Sequence, residues 1–346
     1  MKKATILFLI CFLLLNMEAC GTQENLPVKV TEKVMRFEPL SEIKDGRPNI
    51  YLILKLIDSN YWQVIIEGVR DASNICECNV YYAGTYNETD WESQRVLIDN
   101  AYKNGADGII LSPNDSIMLS SQLEEIHEEG IPIVLVDTIV NNDVFDMCYM
   151  TDNFIAGTTA SEEMISLLKE NGHGDNEELE IGVMVGSKTS QTINERLAGF
   201  FQHWAENAPQ NWRIISDIKN CNGDIEEAFN LAKELMFEHE KLSGLYGTNN
   251  GPTRALCSTV MDSNREDIVV VGFDYSDEMK TMIELPEFVA ATMLQKQYDM
   301  GYKALETITE ILNGNTAQIK YVDTGVIAVK YENLSDSDVV ETLKHN

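Results

Sequence analysis

From Asn49 onward the chain repeats one pattern, in which a short apolar run ends in polar residues and an amphipathic stretch follows. The short runs are rich in β-branched residues and indicate strands, whereas the longer stretches place apolar residues three and four apart, as helices do. Because the runs are apolar at nearly every position, we expect helices to cover both faces of parallel sheets. The predicted strands are residues 50–57, 78–84, 106–113, 131–138, 180–186, 212–217, 244–249, 268–274 and 288–294.

The series of strands breaks once, near residue 150. This break predicts an α/β protein with two doubly wound parallel-sheet domains. A single barrel of eight or more strand–helix units is the alternative, because such units can also close on themselves. The break and the number of strands favour two domains.

The amino-terminal residues have the pattern of a secretory signal. Two lysines precede an apolar run that is short for a membrane span, and a small residue, Ala19, precedes Cys20. The ending "NMEAC" resembles the lipobox of bacterial lipoproteins, which predicts a signal peptide over 1–19 and a lipid on Cys20. Met17 and Glu18 depart from that pattern, so an ordinary secretory peptide or an uncleaved anchor is the alternative. Residues 20–47 are polar and predict a tether. Either way the domain lies outside the cytoplasmic membrane, at the cell surface or in the periplasm.

The net charge of −30 repels nucleic acid and anionic lipid, so neither is a predicted partner surface. The sequence contains no nucleophile elbow, phosphate-binding loop, dinucleotide fingerprint or H-E-x-x-H spacing, and we predict no enzyme activity, cofactor or metal. Five cysteines follow Cys20, and an odd, scattered set predicts buried thiols rather than a disulfide framework. These are Cys76, Cys78, Cys148, Cys221 and Cys257.

Nearly every predicted strand ends in a hydroxyl, amide or carboxylate side chain. Ligands of open parallel sheets bind beyond the carboxyl ends of the strands, although any one such residue is more often an ordinary turn residue. Tyr61 and Trp62 add flat faces, and the combination suits a neutral, hydroxyl-rich ligand in a cleft. The polar strand-end residues include Ser59, Thr85, Ser112, Asp137, Thr138, Asn222, Asn249 and Asp274.

Eight segments between residues 49 and 330 resemble a known family in their order along the chain. They are "DSNYWQVIIEGVRDAS", "GADGIILSPND", "GIPIVLVDT", "YMTDNFIAG", "TINERLAGF", "YGTNN", "VVVGFD" and "VAATMLQKQYDMGYKAL". The chain resembles the periplasmic binding proteins of type I, in the ribose-binding group that serves bacterial ABC importers.

The resemblance implies two lobes joined by three crossovers, near 151–154, 294–296 and 321–324. It places residues 48–152 plus 296–320 in the N-terminal lobe and residues 153–295 plus 321–335 in the C-terminal lobe. It also implies ligand contacts from both lobes, at Ser59, Tyr61, Trp62, Ser112, Asp137, Arg196, Asn249, Asp274 and Gln295.

Two of these positions also have a structural interpretation. Arg196 can donate two parallel hydrogen bonds to ligand oxygens, which is the favoured interpretation, but it could instead lie on the surface of its helix. Asp274 can accept from two hydroxyls, but it could instead cap the helix that follows it.

Lys55 and Thr138 depart from the family pattern. Ribose-type members often have arginine at the position of Thr138, and they commonly have a small polar residue at the position of Lys55. A lysine is costly to bury alone, so a structural role would require a nearby carboxylate such as Asp58 or Asp137. We favour the interpretation that Lys55 lines the cleft and replaces the missing arginine.

The resemblance implies a monomeric, lipid-anchored receptor that captures a monosaccharide or a related polyol or sugar derivative and delivers it to an ABC permease. The alternative is a sensor that presents its closed form to a membrane receptor kinase, and a secreted hydrolase is less favoured. DNA-binding repressors of the same fold are excluded by the signal segment and by the absence of a helix-turn-helix.

Overall fold

The computed structural model describes residues 35–316 and 319–345. The predicted signal peptide, the predicted lipidation site Cys20 and the first part of the predicted tether lie outside the described residues. None of the helices within the described ranges combines the length and the apolar character needed to cross a bilayer.

The strands of the described residues form two sheets. In chain order they are β1 (Glu38–Pro39), β2 (Asn49–Leu54), β3 (Asn79–Gly84), β4 (Gly108–Leu111), β5 (Ile133–Val136), β6 (Met147–Met150), β7 (Leu179–Val185), β8 (Trp212–Ile214), β9 (Lys219–Asn220), β10 (Leu242–Gly247), β11 (Val269–Phe273), β12 (Ala290–Gln295), β13 (Tyr321–Asp323) and β14 (Val326–Lys330).

Helices follow most strands and return the chain across the sheets. In chain order they are α1 (Asn60–Cys76), α2 (Trp91–Lys103), α3 (Ser120–Glu128), α4 (Asn153–Glu170), α5 (Gln191–Asn207), α6 (Ile225–Glu238), α7 (Asn250–Asp262), α8 (Asp277–Glu284), α9 (Gln297–Leu312) and α10 (Ser337–Leu343), with a 3₁₀ turn at Tyr331–Asn333 before the last.

Both sheets are doubly wound, which confirms the predicted fold class and excludes a barrel. The first sheet has the order β1-β3-β2-β4-β5-β6-β13 and the second has the order β14-β12-β11-β10-β7-β8, with β9 also on β7. All pairs are parallel except β1 with β3 and β12 with β14. With the second order reversed, the parallel strands β2-β4-β5-β6 of the first sheet correspond to β7-β10-β11-β12 of the second, so β5 and β11 occupy equivalent places.

Alternate residues of β2 explain why its apolar run is continuous. Ile50, Leu52 and Leu54 pack into one hydrophobic cluster with α1 and α9, whereas Tyr51 and Ile53 pack into the cluster on the opposite face. A strand covered on both faces needs apolar residues at every position. The strand ends at Leu54, three residues earlier than predicted.

The folded unit begins within the predicted tether, so the assignment of residues 20–47 needs correction. Glu38 and Pro39 of β1 pair with the edge strand β3, and the ring of Phe37 meets that of Tyr51 at 4.7 Å, edge to face. Covering an exposed sheet edge and burying an aromatic ring both favour this local order.

The lobe assignment also needs one correction, while the rest of it remains a prediction. We expected residues 321–335 in the C-terminal lobe, but β13 pairs with β6 in the first sheet. The third crossover therefore lies at Thr324 and Gly325, between β13 and β14. The other two crossovers lie at Thr151 and Asp152, before α4, and at Lys296, before α9.

Two helix pairs approach so closely that only glycine fits between them. A Cβ on Gly157 in α4 would lie 2.0 Å from the carbonyl oxygen of Arg196 in α5, and a Cβ on Gly199 in α5 would lie 2.0 Å from that of Phe154. Likewise, a Cβ on Gly68 in α1 would meet the backbone of α9, and a Cβ on Gly301 in α9 would meet the backbone of α1. The α4–α5 contact holds the backbone of Arg196 in place.

The five cysteines within the described residues are free thiols. Cys78, Cys148, Cys221 and Cys257 are buried, whereas Cys76 is half-buried. Burial is the largest influence on the pKa of Cys78 and raises it to about 11, so this thiol is protonated and unreactive at neutral pH.

Candidate functional site

A cavity of about 60 Å³ lies where the carboxyl ends of strands from the two sheets face each other. This is the place where doubly wound sheets bind ligands. The lining residues are Lys55, Ser59, Tyr61, Trp62, Glu88, Asp137, Ser190, Thr192, Ile193, Arg196, Asn249, Asn250, Asp274 and Gln295.

Asp137 and Asp274 are matched carboxylates from the two sheets. Asp137 follows β5 and Asp274 follows β11, with φ values of 67° and 69°. The backbone N–H of Asp137 donates to the carbonyl of Tyr149, and that of Asp274 donates to the carbonyl of Met293. Left-handed backbone costs a residue other than glycine roughly 1–2 kcal/mol, although aspartate tolerates it better than most. At each of the two positions, this left-handed backbone conformation directs the carboxylate into the cavity instead of along the sheet.

Lys55 and Asp137 form a buried ion pair at one side of the cavity. The Lys55 Nζ lies 3.1 Å from Asp137 Oδ2 and also donates to Thr138 Oγ1, whose own hydroxyl donates to Asp137 Oδ2 at 2.7 Å. The Tyr61 hydroxyl donates to Asp137 Oδ1 at 2.5 Å. Burial by itself raises the pKa of Asp137, but the Lys55 charge and the hydrogen bonds from Tyr61 and Thr138 outweigh it and lower the pKa below its ordinary value.

The two interpretations of Lys55 therefore coincide in this structure. The side chain has the carboxylate partner that a buried lysine requires, and it also lines the cavity. Its contact with a ligand remains a prediction. Burial, then the negative charges of Asp137 and Asp274, hold the pKa of Tyr61 well above its ordinary value, so its hydroxyl remains protonated.

Arg196 is the central donor on the side of the second sheet. Only 4% of it is exposed, so the interpretation as a surface residue is wrong. Its Nε donates to Asn153 Oδ1 at 2.8 Å, and its Nη1 donates to the carbonyl of Thr248 at 2.9 Å. The guanidinium also lies 3.9 Å from the centroid of the Phe273 ring. These contacts hold it in one orientation before any ligand arrives.

Gln295 connects Arg196 with Asp274. Arg196 Nη2 donates to Gln295 Oε1 at 3.0 Å, and Gln295 Nε2 donates to Asp274 Oδ1 at 3.0 Å. The alternative role of Asp274 as a helix cap is wrong, because the side chain of Ser276 caps α8 by accepting from the backbone N–H of Met279.

Three predicted contact residues lie elsewhere in the described part of the chain. Thr138 forms hydrogen bonds with both Lys55 and Asp137, but its own side chain does not line this cavity. Ser112 is fully buried and does not line this cavity. It directly follows β4, and its backbone N–H still donates to the carbonyl of Ile53 in β2. Asn222 is exposed in the turn before α6, where its side chain bonds to that of Asn220. The geometry brings the other nine predicted residues together.

Sequence reasoning missed several residues of the cleft. Glu88 lines the cavity and accepts a hydrogen bond from Trp62 Nε1 at 3.2 Å. Glu88 lies in the polar stretch that follows β3, where the sequence analysis named only Thr85. Its place in that stretch was the one sequence feature that could have identified it. Thr192 and Ile193 reach the cavity because α5 begins at its edge. Within the described ranges, no group of three or more His, Cys, Asp or Glu side chains is placed to hold a metal ion.

The profile of the periplasmic binding protein domain family matches residues 50–316. The D-ribose/D-allose-binding protein of Pseudomonas aeruginosa is 24% identical over 314 residues, which cover 87% of this chain and 95% of that protein. The D-apiose import binding protein of Actinobacillus succinogenes is 22% identical over 256 residues, covering 74% and 76% of the two chains.

Solved structures are similar over nearly the same region. A carbohydrate transporter solute-binding protein from Agrobacterium radiobacter, in complex with D-arabinose, superposes with a TM-score of 0.79 at 22% identity, over 86% of this chain and 99% of that one. An ABC transporter solute-binding protein from Agrobacterium vitis with bound D-fucose gives 0.76 at 23% identity, over 84% and 98%. Since the family profile covers most of the chain, the protein belongs to the periplasmic binding protein family, and it is similar to the type I, ribose-binding-like members of that family.

Proposed function

We propose that this protein is an extracytoplasmic receptor that binds a monosaccharide, or a related polyol or sugar derivative, and delivers it to an ABC importer. The observation that carries the proposal is that two buried carboxylates, Asp137 after β5 of the first sheet and Asp274 after β11 of the second, line one cavity. Arg196 lines the same cavity and is linked to Asp274 through the side chain of Gln295. Carboxylates accept from vicinal hydroxyls and arginine donates to ring or hydroxyl oxygens. Tyr61 and Trp62 supply the apolar surface that a sugar ring requires.

Ligand capture would act through closure of the two sheets about the three crossovers. Lys55 and Asp137 follow strands of the first sheet and Tyr61 lies in α1, which packs on that sheet. Asp274 follows a strand of the second sheet, and Arg196 lies in α5, which packs on that one. A ligand that contacts both sides stabilises the closed arrangement more than the open one, and so shifts the population toward it. The permease then reads a change of shape rather than the sugar itself.

The remaining parts of the proposal concern attachment and assembly. A lipid on Cys20 would anchor the protein to the membrane, and the receptor would act as a monomer. Binding without chemical conversion is the expected activity, in keeping with a family whose members are substrate-binding proteins of sugar transporters.

A thermal-shift panel of pentoses, hexoses, inositols and sugar acids, guided by native mass spectrometry of freshly purified protein, tests the binding function. A sugar at about a hundred times its dissociation constant should add about 2.7 kcal/mol to the free energy of unfolding. Prolonged incubation should leave the sugar unchanged. Stabilisation by none of the panel would contradict sugar binding, and turnover would favour the hydrolase.

Deletion of the gene separates transport from sensing. A transport receptor predicts that uptake of the bound sugar is lost and that restoring the gene recovers it. Normal uptake with lost induction of sugar-responsive genes would instead favour a sensor that signals to a receptor kinase.

Sugar affinity should weaken as the pH falls through about 6. Burial is the main cause that raises the pKa of Asp274 to about 6, against the lowering influence of Arg196 and Gln295. A ligand hydroxyl that donates to Asp274 favours the carboxylate, so binding to the protonated form must expel a proton, and affinity should fall by up to about tenfold per pH unit below the pKa. Calorimetric titrations between pH 5 and 8 measure this profile.

The contribution of Asp274 to the stability of the free protein should show the opposite trend. A carboxyl group with a raised pKa contributes stability that is fully present below its unfolded pKa of about 3.9 and is lost as the pH rises through about 6. Asp274→Asn should remove both dependences. An unchanged acid profile in Asp274→Asn would assign the effect to another group.

A further inference from the structure

A much larger cavity, which we name the Trp91 mouth, adjoins the inner cavity on one side of the cleft. Its volume is about 730 Å³, and it shares four lining residues with the inner cavity. These are Lys55, Glu88, Ser190 and Ile193. The volume of the Trp91 mouth lies within the roughly 300–1,000 Å³ that is usual for small-molecule pockets.

Trp91 differs from the other three tryptophans of the chain. Trp204 and Trp212 are buried in one hydrophobic cluster, and Trp62 is buried in another, with its ring at the wall of the inner cavity. Trp91, the first residue of α2, is partly exposed and lines the mouth. An aromatic ring held at a helix start and facing a polar cleft offers a flat apolar surface to a ligand.

Apolar side chains from both sheets border the same mouth. Ile117, in the loop before α3, is 65% exposed, and Phe154, in the first turn of α4, is 40% exposed. Pro113 and Ile193 extend this surface. Exposed apolar groups that converge on one cavity from two sides indicate a binding surface rather than scattered surface residues.

The polar groups of the mouth are mostly neutral, although Lys55, Glu88, Asp115 and Glu195 also line it. The side chains of Asn114, Asn141, Ser187, Gln191 and Asn194 line it. Amides and hydroxyls of this kind recognise hydroxyl groups without requiring a charge. The mouth on the other side of the cleft, about 520 Å³ in volume, has a more acidic lining. Its carboxylates are Asp58, Glu88, Asp224, Asp277 and Glu278.

We propose that the Trp91 mouth is a subsite for a second group of the ligand, so that the receptor takes a glycoside. The first ring occupies the inner cavity, and a second sugar ring or an apolar aglycone lies against Trp91, between Ile117 and Phe154. This inference rests on the proposed sugar-binding function and narrows its ligand class from free monosaccharides to disaccharides or other glycosides.

Calorimetry with matched sugars tests the subsite. The probes are D-glucose, D-galactose, D-xylose and D-ribose, with the phenyl glycoside of each and with cellobiose, lactose and xylobiose. For a sugar that the inner cavity accepts, the glycoside should bind about tenfold more tightly than the monosaccharide. Trp91→Ala should abolish that gain and leave monosaccharide affinity within about twofold, whereas Trp91→Phe should retain most of it.

Two further variants control the experiment. Tyr86→Ala, in the opposite mouth, should leave the preference for the glycoside unchanged. Ile117→Asn changes an exposed loop residue and should reduce the preference even if Trp91→Ala folds poorly, which its thermal unfolding would reveal.

The outcomes separate this proposal from the function on which it rests. Binding of a monosaccharide with no tighter binding of its glycosides, or equal losses for both in Trp91→Ala, would overturn the subsite alone. Failure of every sugar and glycoside to bind would overturn the sugar-receptor function and the subsite together.

Discussion

Replacing Lys55 with methionine should lower the free energy of unfolding by about 3–5 kcal/mol at pH 7, the usual effect of removing one partner of a buried ion pair. The substitution leaves the carboxylate of Asp137 buried beside Thr138 and Tyr61 without its cation. The pKa of Asp137 should then rise, because burial, which already acts to raise it, is no longer opposed by the lysine. Urea unfolding followed by circular dichroism measures the loss.

The loss of stability in Lys55→Met should depend on pH in a definite direction. In the native protein the lowered pKa of Asp137 contributes stability above its unfolded pKa, and this contribution is lost as the pH falls. In Lys55→Met the carboxyl group can take up a proton instead. The difference in stability between the two proteins should therefore shrink in acid, and the double variant Lys55→Met/Asp137→Asn should recover part of the loss at pH 7.

Lys219 supplies a matched control for Lys55. It is similarly buried, with 9% of its side chain exposed, but its partners Asp217, Glu234 and Glu238 are each about half exposed or more. Because water can solvate those carboxylates, Lys219→Met should cost about 1 kcal/mol or less. It should also preserve sugar binding, which Lys55→Met should weaken. Unchanged sugar binding in Lys55→Met would contradict the assignment of Lys55 to the ligand site.

Gly199→Ala should destabilise the protein by about 3 kcal/mol and weaken sugar binding. The new Cβ would lie 2.0 Å from the carbonyl oxygen of Phe154, so α5 must move away from α4. Overpacking of this kind typically costs about 1–3 kcal/mol, and a backbone neighbour that cannot rotate away places the cost at the upper end. Because α5 carries Arg196, the shift should also disturb its bonds to Asn153 and Gln295.

Gly251→Ala is the appropriate control for the helix position. Gly251 lies in the first turn of α7, where an added Cβ would have no atom within 4 Å, and its φ is not positive. Alanine there should be neutral or stabilising by up to about 1 kcal/mol. Thermal and urea unfolding of both variants, with sugar titrations, make the comparison. Equal stabilities for Gly199→Ala and Gly251→Ala would show that the α4–α5 contact can relax.

The alternation of apolar runs with amphipathic stretches was sufficient to predict both sheets. Each run is covered on two faces, as the alternating residues of β2 show, and this double burial leaves a signal at every position. The short β1 gave no such signal, because two residues at an edge, anchored by Phe37, have no period to detect. The sequence also did not show that β13 belongs to the first sheet, because the path of the chain, and no local pattern, decides which strand it pairs with.

The candidate site was predictable in its residue types and its location but less so in its contacts. Strand ends identified Asp137 and Asp274, because parallel strands align their carboxyl ends at one edge. The same rule named Ser112, which does not line the inner cavity, and overlooked Glu88, which does and which lies several residues beyond its strand.

The sequence by itself determined the two doubly wound sheets, the acidic surface and the set of polar strand ends, because each of these follows from local composition and period. Only the tertiary structure decided which groups meet. It paired Lys55 with Asp137 from positions 82 residues apart, linked Arg196 to Gln295 across 99 residues, and placed Trp91 beside the cavity instead of in a core. Such contacts depend on chain crossing and side-chain burial, and no local pattern encodes them.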